Sequence, residues 1–521
     1  MSVISNDNRG LLGDLALAMV LALSLRILYL LALQRAIDMA DAIHYIQMAQ
    51  QFASGDFLNF DENLPVLFSI FGAAVHVVVP NWEHAFWVVS LAASTLLVVP
   101  VYLLAREFHG RSAAQIAALV VSMWPWLVDY GSRIAPEALA VTLFFTSILL
   151  LYRGFEGRNV SLAFAPLAFF ALHLTRPEGT FIMLAAPFGA LVLCWRRGRY
   201  LYRRWGVFTA CCAVLLGIYA VFMRVAIGTA TLSYRAPMAG DVTDYFRRGA
   251  TDFARTAMAL FFDVLPVMLG PLLLVFLGLG IFGKADGPRR IRLEVLILFF
   301  CAVQWSLTLA NFSSAPRYIM TVVVALSLWS ARGIELAARQ AAEARHGAWL
   351  KHVPLSVVAA AMLVGIVSDV ASESLSGMPR TPREYRIAGH WMRDELEPGY
   401  IICRKPQVGF YAEMPSVGPD PAHDADAVVA FAQDIGARYL VVDERYSADI
   451  VPGLRPLLDP ARAPDTLKLL RDDLSPYEGA KIVVYEVVVP GIHYLAPEDF
   501  PTTSSHRGPD KIRRKKGQGE Q

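Results

Sequence analysis

The residues able to do chemistry in this sequence are carboxylates, and they gather where apolar runs end. In DMADAIHYIQMAQQFASGDF, residues 38–57, the acids Asp38, Asp41 and Asp56 follow an apolar run over 11–33. If 38–53 is helical, Asp38, Asp41 and Tyr45 share one side, and Ile43, Ile46, Ala49 and Phe52 another. The pattern predicts an amphipathic helix lying on the outer membrane face with its acids displayed above the bundle. Two chemistries are open to those acids. Asp38 can cap the helix while Asp41 favours its positive N-terminal end. A carboxylate near lipid is costly unless solvated, paired or employed, and here one can act as a general base on a hydroxyl.

A second acid group, WPWLVDYGSRIAPEALAV, places Asp129, Arg133 and Glu137 in one short loop, with Pro136-Glu137 opening the next apolar helix. Proline in the first turn followed by glutamate is also an ordinary helix start. LHLTRPEGTF adds His173, Arg176 and Glu178; its proline starts a helix, and Arg176 can pair with an acid or contact a phosphate. SSAPRYIM sets Arg317 and Tyr318 at the end of another run. An arginine there can bind a lipid phosphate bidentately or anchor the helix at the headgroups. A second acid beside the base could orient an acceptor or hold a metal.

The elements that must position these residues are membrane helices. The chain has 521 residues, 55% hydrophobic and only 18% charged, where a soluble chain carries about a quarter charged residues. Its apolar runs reach the roughly 20 residues a membrane-spanning helix needs. They fall near 11–33, 85–106, 112–128, 134–152, 160–175, 177–195, 206–227, 259–283, 293–310, 316–332 and 353–371, about eleven spans, with 64–79 left as an interfacial or re-entrant element. The first run is too long for a signal h-region and no small-residue cleavage site accompanies it, so it is a retained helix. REFHGR, RGFEGR, RRGRYLYRR, KADGPRRIR and RGIELAARQAAEARHGAWLK are basic, and the loops between them are acidic or mixed. That alternation predicts a cytoplasmic N-terminus and an extracytoplasmic C-terminal region. The loop over 228–258 departs from it with Arg235, Arg247, Arg248 and Arg255, but long loops obey the charge rule weakly.

Beyond about residue 372 the composition becomes that of a soluble domain. EYRIAGHWMRDEL and DADAVVAFAQDIG have helical periodicity, and GYIICR, ARYLVVDE and KIVVYEVVV read as buried strands. The expected organisation is a membrane domain over 1–371 with its outer-face first loop at 34–84, a small α/β domain over 372–495, and a disordered polar tail over 496–521. The five cysteines show no metal-ligand spacing and no disulfide framework. The net charge of +2 is scattered in short clusters and implies no nucleic-acid partner. Neither a phosphate-binding G-x-x-x-x-G-K-[ST] loop nor an H-E-x-x-H motif occurs. The spans are nearly free of charge and the ionisable residues collect at one face. That suits an enzyme at the outer leaflet better than a transporter, which buries charges mid-span or repeats broken helices in two similar halves.

Asp41-Ala-Ile-His-Tyr45, then Ala49 through Gly55-Asp56-Phe57, resembles the acid-bearing first outer loop of the GT-C superfamily of integral-membrane glycosyltransferases. VYLLAREFHGRSAAQIAAL, the Pro136-Glu137 helix start, LTRPEG, APRYIM and the run from AGHWMRDELEPGYIICRKPQVGFYA to GARYLVVDE follow in the same order. The resemblance covers about residues 10–490 and is strongest to bacterial protein O-mannosyltransferases, the lipid A aminoarabinose transferase and lipopolysaccharide-core transferases. It implies a polytopic α-helical membrane protein with an extracytoplasmic α/β domain, set in the inner membrane. The implied reaction moves a hexose or pentose from a polyprenyl-phosphate-linked donor to a lipid, glycan or protein acceptor, with inversion.

On that resemblance Asp41 is the general base, Glu137 a second acid, and Arg317, Arg133 and Arg176 neutralise the phosphate, with Tyr45, His44 and Tyr318 completing the substrate set. The residue after the first-loop acid is often Glu in relatives and is Ala42 here. That leaves open whether Asp38 shares the work, and it favours a chain without a cofactor or resident metal. The alternatives are a transporter or flippase of a lipid-linked intermediate, or a binding subunit that has lost catalysis.

Overall fold

The structure is a computed structural model that describes residues 2–58, 64–195, 197–228, 232, 252–283, 288–310, 315–343, 351–446, 450–476, 480–488, 491 and 494–495. The tail over 496–521 and most of the loop over 228–258 lie outside the described residues. Two compact units divide the chain: Met1–Ala32 with Met48–Asp369, and Leu33–Gln47 with Val370–Gln521.

The membrane unit is helical. In chain order it holds α1 (Ser2–Leu33), the second half of α2 (Ala40–Ala53), α3 (Leu67–His76), α4 (Trp82–Leu96), α5 (Val98–His109), α6 (Arg111–Met123), α7 (Pro125–Gly131), α8 (Glu137–Phe155), α9 (Asn159–His173), α10 (Pro177–Cys194) and α11 (Arg199–Ile227). After these come α12 (Asp252–Phe282), α13 (Pro288–Ala310), α14 (Met320–Glu343) and α15 (Val353–Leu375). Nine helical stretches among the described residues are long and apolar enough to cross a membrane, and a tenth forms if α6 and α7, bent by 55°, are one broken span. The protein is a multi-pass membrane protein. The remaining expected span is α9, whose 15 residues reach about 22 Å, short of the roughly 30 Å hydrocarbon core. The expected interfacial element is α3, a short apolar helix.

Packing follows from residue size. Phe144, Phe145, Phe169 and Phe300 are fully buried where α8, α9 and α13 meet. Gly280 of α12 and Gly333 of α14 let two backbones touch, since a Cβ on either would lie within 2 Å of a carbonyl oxygen of the other helix. One interior charge escapes the sequence pattern. Arg26 is fully buried, with its guanidinium satisfied by the carbonyls of Ala22 (2.8 Å), Ser122 (2.9 Å) and Val121 and by the Ser94 hydroxyl. Together these bonds tie α1 to α4 and α6.

The soluble unit holds α16 (Arg383–Glu395), β1 (Ile401–Cys403), α17 (Gln407–Ala412), β2 (Ser416–Val417), α18 (Ala425–Ile435), β3 (Tyr439–Asp443), β4 (Leu467–Arg471) and β5 (Ile482–Val487). The sheet order is β2-β1-β3-β5-β4, parallel among β2, β1 and β3 and antiparallel across β3, β5 and β4. The three strands expected from sequence are β1, β3 and β5, and each is buried along nearly its whole length. The two expected helices are α16, which buries Tyr385, Ala388 and Met392 at helical spacing, and α18. Asp424 caps α18 by accepting from the Ala427 amide at 2.9 Å.

The segment Leu33–Gln47 packs within this unit. Arg383 donates to the Leu33 carbonyl and Arg386 to that of Arg35 at 3.1 Å. The Tyr411 hydroxyl accepts from the Ile37 amide at 3.0 Å. The stretch before α2, which carries Asp38 and leads directly into Asp41, is therefore held by the soluble unit's own side chains.

Candidate active site

In the membrane unit the loop after α7 delivers Glu137 into the first turn of α8, 3% exposed. Pro177 opens α10 one residue after Arg176, which keeps extended backbone and so turns its side chain onto α8. Arg176 Nη1 donates to Glu137 Oε1 at 2.7 Å, and its Nε and Nη2 grip both oxygens of Glu178 at 3.1 and 3.2 Å. One arginine is therefore shared by two carboxylates, which leaves one negative charge in excess. Gly179 makes the arrangement possible: a Cβ there would sit 2.3 Å from the Leu172 carbonyl at the end of α9.

Arg317 and Tyr318 enter from the 3₁₀ turn before α14. The Arg317 guanidinium lies over the Tyr318 ring at 5.0 Å and donates to its hydroxyl at 3.2 Å. Arg176 stands over the same ring at 5.4 Å. Gln304 fixes the turn by donating to the Tyr318 carbonyl at 3.0 Å, helped by Thr308 at 3.3 Å. Glu137, Arg176, Glu178, Gln304, Arg317, Tyr318 and Thr321 line a cavity of about 30 Å³, enough for about one water. Glu137 Oε2 and Thr321 Oγ1 are buried without a hydrogen-bond partner among the described residues.

The three arginines expected at a phosphate thus differ. Arg176 is matched to Glu137 and Glu178. Arg133 pairs with Asp129 at 2.9 Å and lies over Tyr130, and Asp129 also accepts from the Tyr29 hydroxyl at 3.2 Å. Arg317 forms no ion pair among the described residues. A partly buried cation beside an aromatic ring and orphaned polar atoms is suited to receive an anion.

The two candidate bases in the soluble unit also differ. Asp38 is paired with Arg35 at 3.3 Å, and its backbone carbonyl accepts from Gln407 at 3.4 Å. Asp41 stands exposed in the first turn of α2, with no hydrogen bond or ion pair among the described residues. His44 is half-buried and Tyr45 is 5% exposed. Ile43, Ile46, Ala49 and Phe52 are buried, as the amphipathic pattern predicted, but so is Tyr45, expected on the acid side, and Asp38 precedes the helix, which begins at Ala40. Among the described residues no group of three or more His, Cys, Asp or Glu side chains is placed to hold a metal ion.

Sequence reasoning missed Gln304, Thr321, Arg35 and Gln407. The first two sit inside apolar runs without a local motif. The others are ordinary polar residues whose neighbours are fixed by tertiary packing.

A helical membrane bundle with an α/β unit is the fold of this chain. Solved structures share it along most of the chain. ArnT from Cupriavidus metallidurans in the apo state is 13% identical, with 92% of this chain and 98% of that one covered at a TM-score of 0.59. The same protein bound to undecaprenyl phosphate gives 13% identity, 91% and 98% coverage and a TM-score of 0.55. The Archaeoglobus fulgidus oligosaccharyltransferase in complex with Zn and sulfate is 15% identical over 90% of this chain and 72% of that one, at 0.58. No family model and no curated protein matches the chain. At these identities the likeness establishes the fold, and the GT-C fold expected from sequence is the one observed.

Proposed function

We propose that the protein is a glycosyltransferase that moves a sugar from a polyprenyl-phosphate-linked donor to a hydroxyl of a lipid, glycan or protein acceptor. Asp41 removes the acceptor proton, the freed oxygen attacks the anomeric carbon, and the carbon–oxygen bond to phosphate breaks with inversion. The leaving polyprenyl phosphate gains one negative charge, which Arg317 stabilises. Tyr318 orients that guanidinium, and Arg176 fixes the shape of the cavity while Glu137 and Glu178 balance its charge. Arg133 supports the loop before α8. Tyr45 and His44 flank the base and contact the substrate, and neither a cofactor nor a metal takes part.

The observation that supports this reading is the Arg317–Tyr318 cavity, where a guanidinium with no ion pair among the described residues lies beside the unpartnered Thr321 hydroxyl, in a fold shared with a protein solved with undecaprenyl phosphate. The alternation of basic loops supports a cytoplasmic N-terminus and an extracytoplasmic α/β unit at the inner membrane.

Proteoliposomes loaded with a polyprenyl-phosphate sugar test it. Covalent transfer to an added envelope acceptor, with release of polyprenyl phosphate and no loss on chelation, supports the reading. Movement of the donor between leaflets without bond cleavage overturns it in favour of a flippase.

A further inference from the structure

The soluble unit presents two consecutive basic residues, Arg404 and Lys405, between β1 and α17. Both are half-buried, and neither forms an ion pair among the described residues. The Lys405 ammonium rests 3.9 Å from the centre of the Tyr446 ring and makes no side-chain hydrogen bond there. Burial and the adjacent Arg404 push that ammonium below the usual lysine range, while Asp443 and Asp41 pull it back. Asp443 is already engaged, accepting from the Tyr385 hydroxyl at 2.9 Å and the Tyr446 amide at 2.7 Å.

Two residues further on, Gln407 is fully buried. Its amide nitrogen donates to the Asp38 carbonyl, and its Oε1 has no donor among the described residues. Two neighbouring cations partly withdrawn from water, with only the engaged Asp443 and the exposed Asp41 acting on Lys405, favour a further anion beside the Asp38–Asp41 segment.

We infer that Arg404 and Lys405 form a phosphate-binding site beside the Asp41 segment, additional to Arg317. The inference rests on the transferase reading for its place in the reaction but not for the binding itself. The phosphate belongs either to the lipid-linked donor or to a phosphorylated acceptor.

The test uses the purified full-length protein, Lys405→Met, which keeps the stem on Tyr446, and Lys405→Arg, which restores the charge. Binding of farnesyl phosphate and of glycerol 1-phosphate is measured for all three proteins. A loss of about tenfold or more in affinity for either probe in Lys405→Met, recovered in Lys405→Arg, supports the site. Equal binding by wild type and Lys405→Met overturns it.

Where transfer is measurable, a raised KM for the donor alone assigns a lipid phosphate, and a raised KM for the acceptor alone assigns an acceptor phosphate. A fall in kcat with both KM values unchanged, uncorrected by Lys405→Arg, marks a structural role and overturns the inference. Failure of wild type to transfer any sugar would sink the transferase reading, while the binding comparison would still decide this one.

Discussion

Two buried glutamate–arginine pairs invite comparison. In the membrane unit Glu137 meets Arg176 at 2.7 Å; in the soluble unit Glu384 meets Arg445 at 2.6 Å. The glutamates are 3% and 1% exposed, and each leaves one carboxylate oxygen without a hydrogen-bond partner among the described residues. Their surroundings differ. Glu137 borders a cavity shared with Arg317, Tyr318 and Gln304. Glu384 sits on α16 beside the closed Tyr385–Asp443 bond, where burial holds its carboxyl above the usual range despite Arg445. A buried ion pair is therefore no marker of a site. The marker is the unpaired cation and the orphaned polar atoms next to it.

Substitutions can break that contrast. Arg317→Met removes the cation proposed to face the leaving phosphate and should lower transfer by about 10² to 10³-fold, with unchanged melting; equal activity would remove Arg317 from the site. Arg445→Met strands the Glu384 carboxylate and should cost about 3 kcal/mol in the soluble unit, read by thermal unfolding. Glu137→Gln leaves Arg176 its bidentate grip on Glu178, so stability should change by about 1 kcal/mol while donor KM rises severalfold. A large stability loss there would make the pair structural, like its counterpart.

The smallest effect concerns His390 on α16. Burial and the nearby Arg393 and Arg386 hold its imidazole below the ordinary 6.5. The unfolded chain then binds more protons than the folded one between that depressed value and 6.5, so stability falls as pH drops through this window. His390→Gln should flatten the melting profile of the soluble unit below pH about 6.5; an unchanged slope would contradict the assignment.

Much of this was legible in the sequence, for identifiable reasons. Spans can be read because lipid forces every backbone group into a helix and every outward side chain to be apolar. The starts of α8 and α10 were readable from Pro136-Glu137 and Pro177-Glu178. The strand β4 was not, because its residues Leu467–Arg471 alternate irregularly between buried and exposed and pair with β5 across a register shift. The partition of the three arginines was also hidden: Arg133, Arg176 and Arg317 look alike in sequence, and only packing decides which are matched by carboxylates. Likewise nothing local to residues 33–47 says that Tyr411, Arg383 and Arg386 will hold them.

Asp41 is the acid of its segment without an ion pair among the described residues, while Asp38 is held by Arg35. Transfer from a polyprenyl-phosphate sugar by purified Asp41→Asn and Asp38→Asn, each matched to wild type for membrane insertion and melting, tests this directly. The account predicts that Asp41→Asn loses about 10² to 10⁴-fold in rate and that Asp38→Asn keeps most of it. Full activity in Asp41→Asn, or the reverse order of the two variants, would contradict it.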